Sequence, residues 1–236
     1  MPAFQPRFED LPTEIAVFPL PGALLLPQGR LPLNIFEPRY LAMTQDSLAR
    51  GRMFGMIQPD PAAAPAATGP GLYRTGCLGR LSSFAETEDG RLLITLTGVI
   101  RYEVTSELPL HPGGYRRVRA DYGAFAADLA PIAGRGGGQG IGQGIDQGMD
   151  QGIDRPALLA SLRPYFRARR IEANWEAVEQ TPDAMLATTL AMICPFTVAE
   201  KQALLEAPTL ADRAATLTAL LRMGAHGEPS GGGRAS

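Results

Sequence analysis

Lysine is nearly missing from this chain: of 22 basic residues only Lys201 is lysine, and the rest are arginine. A nucleotide-hydrolysing P-loop needs a glycine-rich turn ending in lysine, and Lys201 lies in AEKQALL with no glycine beside it. A serine-lysine dyad would need the same residue, and TVAEKQ offers no serine in register. Histidine is as scarce, with His111 in a Pro/Gly loop and His226 in the tail, so neither a zinc cluster nor a serine-histidine-aspartate triad is indicated. The two cysteines, Cys77 and Cys194, form no C-x-x-C pair, which argues against a zinc knuckle or a disulfide framework and for two buried thiols in a reducing compartment. No stretch approaches the ~18 apolar residues of a membrane span. The amino terminus, MPAFQPRFEDLPTE, has acids and prolines where a secretory signal has bases and an apolar run, so a cytoplasmic location is expected. Catalytic, cofactor-binding and metal-ligating residues are therefore expected to be absent, and the chain is expected not to be an enzyme.

Charge excess is lacking too. A net charge of −2 and a pI of about 5.8 supply no general attraction to nucleic acid or anionic membrane. What is present is apolar content: 45% of 236 residues is enough to bury a substantial core.

From residue 14 to about 122 the periodicity is two, with turn residues between short runs. Leu31, Leu33 and Ile35 alternate with Pro32 and Asn34, and Pro32 confines that strand to an edge or bulge. MFGMIQ, GCLGRLSSFAET and RLLITLTGVIRYEV follow, the last two joined through Asp89-Gly90, a hairpin signal of type I′. YRRVRADY reads as a closing strand with Tyr115, Arg117 and Arg119 on one solvated face. Gly55, Gly76, Gly79 and Gly98 lie inside strands, which suggests bulges or bends of a sheet curling into a small barrel. Met53, Phe54 and Met56 are apolar enough to line a groove, although core packing is their ordinary role.

Residues 126–154 differ in kind. GIGQ, GIDQ, GMDQ and GIDR repeat every four residues, and a helix with glycine each turn would lose roughly 1 kcal/mol per glycine. A flexible insertion is expected. Asp146, Asp150 and Asp154 match neither an EF-hand nor a nonapeptide calcium repeat.

After it the period becomes 3.6. Leu158, Leu162, Tyr165 and Phe166 share a helical face, and Pro164 implies a kink or early stop. Thr181 is expected to cap a helix with Pro182 in its first turn, ending at Cys194-Pro195. Thr197 with Glu200, and Thr209 with Asp212, have capping-box spacing, and Gly224 is expected to end the last helix. The expected fold is α+β: a β-barrel subdomain over 12–125, the insertion at 126–154, a helical bundle over 155–224 and a disordered tail over 225–236.

LPLNIFEPRYL, residues 31–41, reads as a strand turning into the first helix, with Pro38 at its first position and Glu37 facing the positive end of the dipole, worth ~0.3 to 1 kcal/mol. Tyr40, Leu41, Thr44 and Leu48 would line a helix ending at Gly51.

VFPLPGALLLPQGRLPLNIFEPRYLAM, GMIQP, LYRTGCLGRLSSFAETEDGRLLITLTGVIRYEV, Trp175 and MICPF…EKQALLEA resemble the amino-terminal, substrate-binding domain of the Lon protease family, in its bacterial stand-alone form, from about residue 12 to 223. The resemblance implies a PUA-like β pseudo-barrel followed by a helical bundle, without the ATPase and protease modules. It implies recognition of unfolded or exposed polypeptide segments, in the manner of an adaptor or chaperone-like factor working with a protease or chaperone, and transfers no catalytic residue. The alternative, an RNA-binding PUA-like module, is disfavoured by the pI and by the lack of an aromatic-basic interleave.

Overall fold

The computed structural model describes residues 6–130 and 152–226. Within these, residues 6–130 with Pro195–Leu205 form one compact unit, and residues 152–194 with those from Glu206 onward form a second.

The first unit is a six-stranded sheet: β1 Glu14–Pro19, β2 Arg30–Ile35, β3 Met53–Ile57, β4 Thr75–Glu86, β5 Leu92–Leu108 and β6 Arg116–Asp121, in the order β2-β5-β4-β3-β1-β6. A further β5–β6 pairing closes the sheet on itself. The length of β5 makes this possible: its first half pairs with β2, from Arg30↔Thr97 to Ile35↔Leu92, and its second half with β6, from Glu103↔Asp121 to Leu108↔Arg117. β1 runs parallel to β3 and antiparallel to β6, so β6 is the closing strand that YRRVRADY suggested. Closure removes free edges from the barrel. β2, which contains Pro32, stands at the edge of the sheet order, as its proline requires.

Ile15, Val17, Ile57, Leu78, Ile100, Tyr102, Val118 and Tyr122 fill the barrel. Leu24, Leu25 and Leu26 form no strand but are buried at 2% exposure or less. Register shifts at Leu78/Gly79, Leu81/Ser83 and Val104/Ser106 supply the bends. Gly76, though, serves close approach: it sits directly across from Tyr102, whose ring fills the space a Cβ would need. The β4–β5 turn differs from type I′ in that only Gly90 has positive φ, at 78°. Gly90 N–H donates to Thr87 O at 2.9 Å, and Thr87 N–H to Arg91 O at 3.0 Å, a longer loop than the two-residue form.

Helix α1, Pro38–Ala49, buries Tyr40, Met43, Thr44 and Ser47 and stops two residues before Gly51, whose φ is 82°. Leu41 and Leu48 are half-buried.

Helix α5, Val198–Glu206, belongs with the barrel through residue 205, although periodicity groups it with the bundle. A polar seam explains why. Gln58 Nε2 donates to Gln202 Oε1 at 3.1 Å and to Val198 O at 3.2 Å, and Gln202 Nε2 donates to Thr75 O at 3.1 Å. Lys201 Nζ donates to Gly22 O at 2.6 Å, so the only lysine of the sequence holds a backbone carbonyl. Thr197 and Glu200 form the expected box, with the Thr197 N–H donating to Glu200 Oε2 at 2.7 Å.

In the second unit, α2 Arg155–Arg169, α3 Trp175–Gln180, α4 Asp183–Ile193 and α6 Leu210–His226 assemble chiefly through α2 on α6. Leu158, Leu162, Tyr165 and Phe166 are buried as their spacing requires. Pro164 neither stops nor shortens α2, and lies exposed within it. Thr181 belongs to the end of α3, donating to Ala177 O at 2.6 Å, and Pro182 is the N-cap of α4. Gly224 does not end α6: a Cβ there would lie 2.5 Å from a Tyr165 ring carbon, so it is a packing glycine within the helix. Asp154 caps α2, accepting from Ala157 N–H at 2.9 Å. Asp146, Asp150 and most of the glycine repeat lie outside the described residues.

Candidate functional site

Where β2, the first half of β5 and the second half of β4 run beyond the closed barrel, they end in an apolar tip. Phe36 is 60% exposed, Leu93 47% and Phe84 46%. The register explains the arrangement. Leu93 lies between Asn34 and Ala85 on one face, while its neighbours Leu92 and Ile94 point into the core at 4% and 2% exposure. Phe84 is in register with Ile94, hence on the opposite face, where the sheet runs out of cover. Phe36 follows the last residue of β2, and the Arg91 guanidinium lies 5.9 Å from its ring centroid.

Charge frames this ridge. Arg39 Nη2 meets Glu37 Oε2 at 2.7 Å, and Arg91 Nε meets Asp89 Oδ2 at 2.7 Å. Glu37 makes no side-chain bond to the start of α1, so it acts on the helix through its charge and on Arg39 directly. The acid and base of LPLNIFEPRYL are thus a surface pair beside an exposed phenylalanine, with Arg39 also over the Tyr40 ring at 4.7 Å.

The other candidates are structural. Phe54 and Met56 are buried at 0% and 2%, and Met53 is half-buried against the core. On β6, Arg119 pairs with Glu14 at 2.9 Å and Arg117 donates to Pro109 O at 3.3 Å, while Tyr115 is buried against His111 with ring centroids 4.3 Å apart. Cys77 and Cys194 are buried and unbridged. Among the described residues no group of three His, Cys, Asp or Glu could hold a metal ion, and no helix is long and apolar enough to cross a membrane.

Sequence reasoning missed Arg101. It is buried beside Asp128 and donates from Nε to Oδ2 at 2.9 Å, from Nη2 to Oδ1 at 2.9 Å, and from Nη1 to Leu205 O at 3.1 Å. One guanidinium ties the helical turn Gly123–Leu129 and the end of α5 to the barrel. Arg116, at 7% side-chain exposure, likewise donates to Glu107 at 2.7 Å and to Pro70 O at 2.7 Å.

Tyr40, Tyr102, Tyr115 and Tyr122 hold their protons. Burial raises the Tyr102 phenol well above its ordinary range, and raises Tyr40 and Tyr122 as well. Burial, together with the bond to Asp46, pushes Tyr115 up to about 12. None of the four is a base near neutrality, and the chemistry on offer at the ridge is apolar contact with a charged rim.

A barrel closed by five strands, with β2 added at its edge and accompanied by a helical bundle, is a fold of the PUA-like pseudo-barrel class. The chain belongs to the family of the ATP-dependent protease La (LON) substrate-binding domain, whose model matches residues 14–223. Lon protease 2 of Sorangium cellulosum is 26% identical over 126 residues, 51% of this chain and 15% of that protein. Lon protease 2 of Myxococcus xanthus is 24% identical over 119 residues, 48% of this chain and 13% of that protein. The matched part therefore spans a small fraction of these relatives. A Lon N-terminal domain protein from Xanthomonas campestris has a TM-score of 0.55 at 20% identity, over 88% of this chain and 98% of its own. The N-terminal domain of a Mycobacterium avium complex Lon protease has a TM-score of 0.56 at 16% identity, over 88% and 97%. At these identities the structural likeness concerns the fold.

Proposed function

We propose that the chain recognises exposed apolar or unfolded segments of other polypeptides, and that the ridge of Phe36 and Leu93 is where they bind. The observation that carries this reading is the exposure of two large apolar side chains, Phe36 at the end of β2 and Leu93 on the adjoining β5, on the face turned away from the core. Isolated apolar residues are ordinary on a surface, but a group of them at a sheet end, rimmed by charge, is the character of an interaction site. Family membership supports this reading, since the family is that of the substrate-binding domain of an ATP-dependent protease. The edge position of β2 adds main-chain groups able to pair with an extended segment, with specificity left to the side chains beside them. Bound segments would then pass to a proteolytic partner or chaperone. A cytoplasmic site of action fits the two buried, unbridged thiols.

The test is a fluorescence anisotropy titration of a labelled, permanently unfolded polypeptide, without ATP and after nuclease treatment. The wild type is expected to bind, and the variants Phe36→Ser and Leu93→Ser to bind about tenfold more weakly each. Unchanged affinity in both variants would remove the ridge from the account, and binding lost on nuclease treatment would contradict polypeptide recognition.

A further inference from the structure

The helical unit carries a second recess, lined by Arg163, Phe166, Arg167, Ile171 and Trp175. Its shape follows from the end of α2. Arg170 is left-handed, with φ 55° and ψ 39°, a conformation disfavoured for a non-glycine residue. It lets Ile171 N–H donate to Phe166 O at 2.9 Å, folding the chain back so that Ile171 joins the lining. Phe166 and Trp175 form the apolar floor, with ring centroids 5.9 Å apart at an interplanar angle of 50°.

The two cations of the lining differ. Arg163 lies over the indole at 4.4 Å and is already neutralised by Glu179, with Nη2 to Oε1 at 2.9 Å. Arg167, also exposed, makes no ion pair among the described residues. Glu172 and Glu176, adjacent in sequence to Ile171 and Trp175, are exposed and are not among the lining residues. One uncompensated guanidinium beside an aromatic and aliphatic floor suits a monoanion with an apolar body. A phosphate or a nucleic-acid strand, which brings more negative charge than one guanidinium balances, suits it less well.

We propose that this recess binds the free carboxyl terminus of a polypeptide ending in an apolar residue, the carboxylate on Arg167 and the terminal side chain on Phe166, Ile171 and Trp175. The proposal rests on the reading that the chain binds polypeptides, and adds to it recognition of a chain end. A planar guanidinium can grip a carboxylate with two parallel hydrogen bonds, whereas a terminal carboxamide offers one acceptor and no charge.

Trp175 is the only tryptophan, so its fluorescence reports on the recess directly. The full chain would be titrated with N-acetyl-Ala-Ala-Leu as the free acid, with the same peptide as its carboxamide, and with octanoate. The free acid is expected to shift Trp175 emission saturably, and the carboxamide to bind about tenfold more weakly. Arg167→Gln should bring the acid down to the carboxamide's level, and Arg167→Lys should restore part of the difference. Equal binding of acid and carboxamide, a preference that survives Arg167→Gln, or octanoate binding as tightly as the peptide would each overturn the proposal. A long unfolded polypeptide amidated at its carboxyl terminus, followed by anisotropy, separates the two readings. If it binds the wild type while acid and carboxamide are not distinguished, the recess assignment alone fails. If it does not bind, the ridge reading fails irrespective of the recess.

Discussion

The ring of Tyr102 occupies the place of a side chain at Gly76, its direct cross-strand partner, and also covers Gly55, where a Cβ would lie 2.5 Å from the phenol oxygen. The hydroxyl donates to Met56 O at 3.3 Å, so a fully buried tyrosine is packed against two glycines and still satisfied.

Gly76→Ala is therefore expected to destabilise the chain by about 1 to 3 kcal/mol through overpacking. In an open strand position the same change would be neutral or mildly stabilising, because alanine has less backbone entropy to lose than glycine. Urea denaturation with wild-type and variant protein decides the sign.

Arg101→Ala leaves the Asp128 carboxylate buried without its partner, and a loss of about 3 to 5 kcal/mol is expected. Replacing both, Arg101→Met with Asp128→Leu, should recover most of that loss, since two charges then leave the interior together. A double-mutant cycle by denaturation measures this, and equal damage in single and double variants would contradict the pairing.

The Glu107 carboxyl carries a pH dependence. Burial, the largest influence, pushes it up, but the Arg116 guanidinium and the Thr68 hydroxyl bonded to it together outweigh burial and hold it below the usual glutamate range. With the folded value depressed, its stabilisation is present above the unfolded glutamate value and is lost as pH falls through the folded one. Denaturation midpoints taken from about pH 6 down to about pH 3 should show a shallower acid limb in Glu107→Gln than in wild type.

Glu37→Gln should change stability by less than about 0.5 kcal/mol, since the Glu37–Arg39 pair is exposed. Pro38→Gly should cost about 1 kcal/mol or more, because it frees the chain at the first position of α1. Thermal melts of the two variants give the comparison.

Much of this fold was legible in local chemistry. Pro32 cannot donate to a ladder and so marked the edge, and Thr197 with Glu200 announced the start of α5. What stayed hidden depends on distant partners. Gly224 has the look of a helix stop because its contact with Tyr165 comes from another helix, far away in sequence. Barrel closure rests on β5 being long enough to serve both β2 and β6, which alternation in a single strand does not disclose. Nothing in GVIRYEV marks Arg101, whose partners Asp128 and Leu205 lie far along the chain. The ridge is half legible: LPLNIFEPRYL shows its acid and base, but the exposure of Phe36 appears only once the strand ends and α1 turns away.

The central claim, polypeptide recognition at the ridge, is tested most directly by amide hydrogen exchange of the chain with and without a saturating unfolded polypeptide. Slowed exchange confined mainly to residues 30–37 and 83–95 is the expected result. Tight binding that leaves both segments unprotected while slowing exchange elsewhere would contradict it.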